Sequence, residues 1–142
     1  MSVFVDTGVF FAHHDEDADR HDDAAAAFDD LLDGAYGQPY TSDYVLDEAV
    51  TLTRVRIGSF DAADTLAGRV LGEGSFPTVF SMLHVEPDTV RASLETFRRY
   101  DDHGLSFTDA TTIALCESRG IDAVLSFDDD FDGLVERVEP NG

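Results

Sequence analysis

The sequence predicts an α/β fold: a three-layer α/β/α sandwich whose mostly parallel sheet has four or five strands. Short apolar runs alternate along the chain with longer amphipathic stretches, the order expected of strands and crossover helices. The runs are apolar throughout rather than at every second residue, which is how a strand reads when both faces of its sheet are covered. No repeat, low-complexity segment or linker interrupts the pattern, so residues 1–142 are expected to form a single domain.

Val3-Phe4-Val5, ending at Asp6-Thr7-Gly8, reads as the first strand, and Gly8 to His13 as a short helix. His21 to Asp33 is a helix with Phe28, Leu31 and Leu32 inward and Gly34 beyond its end. Gln38 to Thr41 is a second strand. Ser42 or Asp43 caps a helix that runs to about Arg56, and another helix spans about Phe60 to Leu71. Thr78 to Leu83 is the third strand. Pro87 opens a helix through Tyr100, since proline suits a first turn. Thr108 to Arg119 is a helix closed by Gly120, Ala123 to Ser126 a fourth strand, and Val135 to Val138 a weak fifth.

At 142 residues the chain is long enough for one substantial core. Its charge is the outlier: 30 acidic residues stand against 9 basic ones, all Arg, for a formal −21. The acids are spread along the chain, as in Asp15-Glu16-Asp17-Ala18-Asp19, and do not form a tail. We read this as adaptation to very high salt, where a Debye length of about 3 Å at ~1 M screens self-repulsion, and expect a halophilic source. An acidic partner-binding surface is the alternative. A single cysteine, Cys116, excludes an internal disulfide framework and a cysteine-based zinc site, and reads as core filling. No segment is long and apolar enough to span a bilayer, and the first residues lack a signal peptide's basic region, so a cytoplasmic protein is expected.

Ligands of open parallel sheets bind beyond the carboxyl ends of the strands. Asp6 and Asp128 fall at such ends, although an acid there also serves as a turn or helix cap. On a helix at about 100° per residue, Val45, Leu46, Ala49, Val50, Leu52 and Val55 mark a buried arc. Glu48 falls inside it and Asp47 outside. A buried carboxylate is costly unless paired or metal-bound; otherwise Glu48 lies at the arc's edge and reaches water. Asp109 shares a face with Ile113 and Cys116, and is either an inward acid or a first-turn acid favoured by the helix dipole. Four such acids suggest one pocket, and an all-oxygen donor set suits Mg²⁺ or Mn²⁺. Without a cation the carboxylates would raise one another's pKa values.

Four blocks carry a family resemblance: Val3-Phe4-Val5-Asp6-Thr7, Thr41-Ser42-Asp43-Tyr44-Val45-Leu46-Asp47-Glu48, Leu105-Ser106-Phe107-Thr108-Asp109-Ala110 and Ser126-Phe127-Asp128-Asp129-Asp130-Phe131. In order and spacing they resemble the motifs of PIN-domain proteins, and in particular the VapC toxins of VapBC pairs. The resemblance implies a PIN-like sheet and divalent-metal endoribonuclease activity, with Asp6, Glu48, Asp109 and Asp128 as catalytic metal ligands. It makes Asp130 a candidate accessory ligand through water, and the Thr7 and Ser126 hydroxyls candidates for orienting ligands or water. It also implies an RNA substrate, a homodimer and a VapB-type antitoxin that blocks the site. A non-toxin PIN nuclease of RNA processing or quality control is the alternative, with an inactive PIN interaction module ranked behind it.

Other readings fit less well. Asp6-Thr7-Gly8 resembles the aspartic-protease signature, but that enzyme needs an all-β fold. A receiver domain needs a lysine, and a haloacid-dehalogenase phosphatase an Asp at position 8, which is Gly. His13, His14 and His21 read as solvated surface. Phe10, Phe11 and Phe28 read as core or dimer contacts. Arg54, Arg56, Arg91, Arg98 and Arg99 are candidates for positive patches that meet phosphates, the Arg98-Arg99 pair also for surface salt bridges.

Overall fold

The computed structural model describes residues 1–141; Gly142, the last residue of the expected domain, lies outside them. In chain order the elements are β1 (Ser2–Val5), α1 (Thr7–His14), α2 (His21–Leu32), β2 (Gln38–Ser42), α3 (Asp43–Ile57), α4 (Phe60–Leu71), β3 (Ser81–Leu83), α5 (Pro87–Arg99), α6 (Phe107–Arg119), β4 (Ala123–Leu125), a 3₁₀ turn (Asp129–Phe131) and β5 (Arg137–Val138). The five strands form one parallel sheet in the order β3-β2-β1-β4-β5, flanked by helices in an α/β/α arrangement. Strands are added outward from β1 to β3, after which the chain returns to place β4 on the other side of β1. The reversal makes the β1–β4 junction the topological switch point, where parallel sheets bind ligands.

The core explains why the strands read as unbroken apolar runs. Val3, Phe4 and Val5 are all fully buried although successive side chains point to opposite faces, so both faces of β1 are covered. Phe10, Phe28 and Phe80 meet edge to face, with ring centres 5.0–5.9 Å apart. Phe11 and Cys116 are buried too. Ser42, Ser59 and Ser106 begin α3, α4 and α6, and each hydroxyl accepts the backbone N–H three residues on. A donor that the first turn of a helix leaves without a backbone partner is satisfied in each case.

Several expectations need correction. Leu32 is 60% exposed rather than inward, because α2 turns only Ala24, Ala27, Phe28 and Leu31 to the core. Val55 is 74% exposed; the buried stripe of α3 is Val45, Ala49 and Thr53, whose hydroxyl bonds the Ala49 carbonyl at 2.8 Å. The third strand is confined to Ser81–Leu83. It pairs with Tyr40–Ser42, and one residue further back β2 offers Pro39, which has no N–H to give the ladder. The fifth strand is likewise only Arg137–Val138. His13, His14 and His21 are half-buried, not solvated. His13 stacks on Phe28 at 3.8 Å, His14 Nε2 lies 2.9 Å from the Ala62 carbonyl oxygen, and His21 Nδ1 lies 2.8 Å from that of Ala12.

The approach of β2 to β1 is set at Gly37, with φ +75°, where an added Cβ would fall 2.0 Å from the Met1 carbonyl oxygen. That oxygen accepts the Gln38 N–H at 3.1 Å, so it has little freedom to withdraw. Gly34 has a similar φ, +81°, and open space around it. Gly34→Ala should therefore cost only left-handed strain, about 1–2 kcal/mol, and Gly37→Ala clearly more, read by urea denaturation. Equal losses would contradict the close approach.

Candidate metal centre

β1 ends at Asp6, whose N–H donates to the Leu125 carbonyl at 3.1 Å, the last rung joining β1 to β4. The chain then turns into α1 with Asp6 at its N-cap, so the carboxyl group is held at the switch point and is only 6% exposed. One step along β4's end, the Ser126 hydroxyl donates to Asp6 Oδ2 at 2.7 Å and accepts the Asp128 N–H at 2.9 Å. Asp128 Oδ1 in turn accepts the Asp130 N–H at 2.9 Å, which caps the 3₁₀ turn. A continuous hydrogen-bond chain thus fixes Asp6 and Asp128 relative to each other. Asp6 Oδ1 and Thr7 Oγ1 are buried with no partner.

Glu48 and Asp109 arrive on helices. α3 is pinned at its start: Ser42 caps it, the Thr41 hydroxyl donates to the Val5 carbonyl at 3.1 Å, and Asp43 Oδ1 accepts the Val85 N–H at 3.0 Å. Glu48 lies at the edge of the buried stripe, half-buried, with Asp47 exposed beside it. Asp109 is 6% exposed and forms a reciprocal capping box with Ser106, accepting its N–H through Oδ2 at 3.0 Å. That bond engages one oxygen of the carboxylate. Asp109 is therefore both a helix cap and an inward acid, and the two sequence readings of it coexist.

Asp6, Glu48, Asp109 and Asp128 line one cleft of about 460 Å³, together with Thr7, Gly8, Arg20, Leu52, Gly104, Ser106 and Phe127. Burial, then the Asp109 charge, and lastly that of Glu48 push the Asp6 carboxyl up to about 7, against the hydrogen bonds from Ser126 and the Thr7 backbone. Burial, then Asp128 and Glu48, push Asp109 up to about 6, although both Ser106 hydrogen bonds favour its ionised form. The neighbouring Asp128 also holds Asp130 above the usual carboxylate range. The four cleft carboxylates face one cavity without closing to ligand spacing. Among the described residues, carboxylate oxygens of three acids come within 4.8 Å of one another at Asp128, Asp129 and Asp130, of which only Asp128 lines the cleft and Asp129 is exposed.

A divalent cation fits this donor set. Its carboxylates and hydroxyls offer oxygen ligands, one of them a buried carboxylate oxygen left unpartnered, and burial with neighbouring like charge raises the Asp6 and Asp109 carboxyls, a cost that a cation would relieve.

Sequence reasoning missed Arg20 and Phe127, which line the cleft, and the capping role of Ser106. Arg20 is the basic residue within an acidic run, and that isolation was the available signal. The arginines expected to form positive patches do not line the cleft. Arg91 pairs with Asp88 at 3.6 Å, Arg98 and Arg99 lie in the last turn of α5, Arg54 borders a groove between α3 and α4, and Arg56 borders a neighbouring groove.

Comparison with known proteins gives a concordant answer. The PIN domain family matches residues 3–136. A VapC ribonuclease of Archaeoglobus fulgidus is 26% identical over 132 residues, covering 92% of this chain and 80% of that protein. The 23S rRNA-specific endonuclease VapC20 of Mycobacterium tuberculosis is 33% identical over 138 residues, 94% of this chain and 96% of its own. The crystal structure of VapC20, described as a sarcin-ricin loop cleaving toxin, superposes with a TM-score of 0.78 at 32% identity, covering 94% and 97% of the two chains. VapBC2 from Rickettsia felis, bound to a DNA fragment from its promoter, shares the fold with a TM-score of 0.69 at 10% identity, covering 97% and 98%. The fold is thus that of solved VapC structures, and the chain belongs to the PIN-domain family.

Proposed function

We propose that this chain is a divalent-metal-dependent endoribonuclease, the toxin of a type II VapBC toxin–antitoxin pair. The observation that carries the reading is the cleft in which Asp6, Glu48, Asp109 and Asp128 converge, with two of the four held close to neutral pKa by burial and by one another. The ribonuclease relatives support it. Intact acids at all four positions argue against an inactive interaction module.

In this reading Asp6, Glu48, Asp109 and Asp128 hold Mg²⁺ or Mn²⁺, with Asp130 as an accessory ligand through water. When bound, the cation supplies charge neutralisation at the phosphodiester and a water of lowered pKa. The remaining work belongs to the chain. Ser126 fixes Asp6 and Asp128 through one hydroxyl, and Ser106 fixes Asp109. The unpartnered Thr7 hydroxyl is placed to orient a ligand or water. Water is added across the phosphodiester and the 3′-oxygen leaves, which yields a 3′-hydroxyl and a 5′-phosphate. A VapB-type antitoxin that covers the cleft and a second copy of the chain complete the assembly. The apolar side chains of Val55 and Phe60, 74% and 66% exposed on α3 and α4, give such partners a surface.

Asp6→Asn and Asp109→Asn should each lower Mn²⁺-supported RNA cleavage by about 100-fold or more. Asp61→Asn, an exposed change on α4, should leave it near wild type. Unchanged cleavage by Asp6→Asn would remove the proposal.

The same carboxylates govern stability without metal. Below about pH 4 both folded and unfolded chains hold the Asp6 proton, and no penalty is felt. As pH rises towards 7 the unfolded chain loses that proton first and gains relative to the fold, so the metal-free protein weakens on the order of a few kcal/mol across this window. Asp6→Asn removes the penalty. In EDTA at pH 7.5 or so the variant should melt several degrees above wild type, the gap should shrink towards pH 4, and Mn²⁺ should raise the Tm of wild type much more than that of the variant. A variant less stable than wild type in EDTA at neutral pH would show that the Asp6 carboxylate is not strained.

A further inference from the structure

The acidic cleft contains one basic side chain, Arg20, at the N-cap of α2. A second groove, about 550 Å³, adjoins the cleft, and Gly8, Arg20 and Phe127 line both. Gly8 leaves the passage open: a Cβ there would meet nothing within 4 Å. Arg20 lies over the Phe127 ring, its guanidinium carbon 4.8 Å from the ring centre, and Nη1 donates to the Phe127 carbonyl at 3.4 Å. Phe127 sits between Ser126 and Asp128, so the ring that supports Arg20 belongs to the segment that fixes the carboxylates.

A guanidinium has five N–H donors, and the Phe127 carbonyl takes one. Asp15, Asp17 and Asp19 line the same groove, yet among the described residues no carboxylate comes within 4.0 Å of Arg20. Its donors stay unneutralised in a chain of net charge −21. Arg56, which lines this groove and not the cleft, lies over Phe11 at 5.7 Å, so the groove holds a second arginine among its three aspartates. A guanidinium supported on a ring keeps its remaining N–H donors for a phosphate, which it can meet as a two-pronged donor.

We propose that Arg20, supported by Phe127, is a substrate-positioning residue: it holds an RNA phosphate flanking the scissile linkage and directs the strand from the cleft into the adjoining groove. This rests on the ribonuclease reading. An acidic cleft neutralised by metal binds the reacting phosphate but repels its neighbours, and Arg20 is the group placed to receive the next one.

The experiment measures kcat and KM for Mn²⁺-supported cleavage of a short single-stranded RNA across a series of salt concentrations, alongside the Mn²⁺-induced rise in Tm. Arg20→Gln should raise KM about tenfold with kcat within about threefold of wild type, and make the slope of log(kcat/KM) against log salt shallower by about 0.7, the value for one lost single-strand phosphate contact. Arg20→Lys should keep the wild-type salt slope while KM still rises. Arg119→Gln, at the opposite end of α6 from Asp109, should match wild type, and the Mn²⁺-induced rise in Tm should be the same in all. An Arg20→Gln enzyme with unchanged KM and salt slope overturns the proposal. So does one that loses kcat and Tm with the slope unchanged, which would make Arg20 a tether for the connection between α1 and α2. A wild-type protein that binds Mn²⁺ but cleaves no RNA defeats the ribonuclease reading, and this inference with it.

Discussion

The switch point between β1 and β4 is the constraint on which the site depends. Crossover helices cover the steps from β1 to β2 and from β2 to β3, and the segment with the 3₁₀ turn covers the step from β4 to β5. Here the two strands are neighbours in space but more than a hundred residues apart in sequence, and no direct connection closes the carboxyl end between them. The crevice must be lined by the residues that leave each strand. Those residues are Asp6 on one side and Ser126 to Asp128 on the other, tied by the 2.7 Å bond from the Ser126 hydroxyl to Asp6. That bond ranks with the backbone rung from Asp6 to Leu125 in fixing how the strand ends meet. Losing the hydroxyl would loosen two carboxylates at once, because the same oxygen receives the Asp128 N–H.

Stability and chemistry pull against each other there. A core built for stability would place an apolar residue at the end of β1, beside the fully buried Val5. Instead the chain buries a carboxyl with one unpartnered oxygen, then brings a second buried carboxyl, Asp109, close enough to raise its pKa further. Desolvation and like charge act in the same direction, and the compensating hydrogen bonds from Ser126, Thr7 and Ser106 offset only part of it. Structural ion pairs also perturb pKa values, but they lower those of acids through basic partners, as Arg137 does for Asp132. Two raised carboxyls in one cleft have the opposite sign. That sign supports the proposed cation site over a network that stabilises the fold.

The elements of the fold were legible because each obeys a local rule. β1 reads as a doubly covered strand, Ser42 or Asp43 marks the start of α3, and the sheet's parallel sense comes from the alternation of strands with helices. Asp6 and Asp128 were legible as acids at strand ends, and Glu48 as an acid out of place on an apolar helix face. What the sequence hid is non-local. Asp109 reads equally as a cap, and only the path of α5 and α6 decides that its capped end faces Asp6. Arg20 sits in an acidic run with no periodicity, and its partner Phe127 is 107 residues away. Val55 and Leu32 misled because patterning assigns apolar residues inward, whereas surface apolar residues are common and carry no periodic mark.

The net charge then makes substrate binding a problem of distance rather than total charge. A chain at −21 repels a polyanion at long range, and a nucleic-acid-binding surface normally advertises itself as a basic patch. This one has none at the cleft. Screening shortens the repulsion to about 8 Å at physiological ionic strength and about 3 Å at 1 M, so contacts made within a few ångströms decide the outcome. The contact proposed for Arg20 is of that range, and Arg20 on Phe127 and Arg56 on Phe11 are both arginines laid over aromatic rings along one groove. The ring holds each guanidinium in place without neutralising it, which a carboxylate partner would do. In a protein with more than three acids for every base, an aromatic support is the arrangement that keeps a positive charge available to a phosphate.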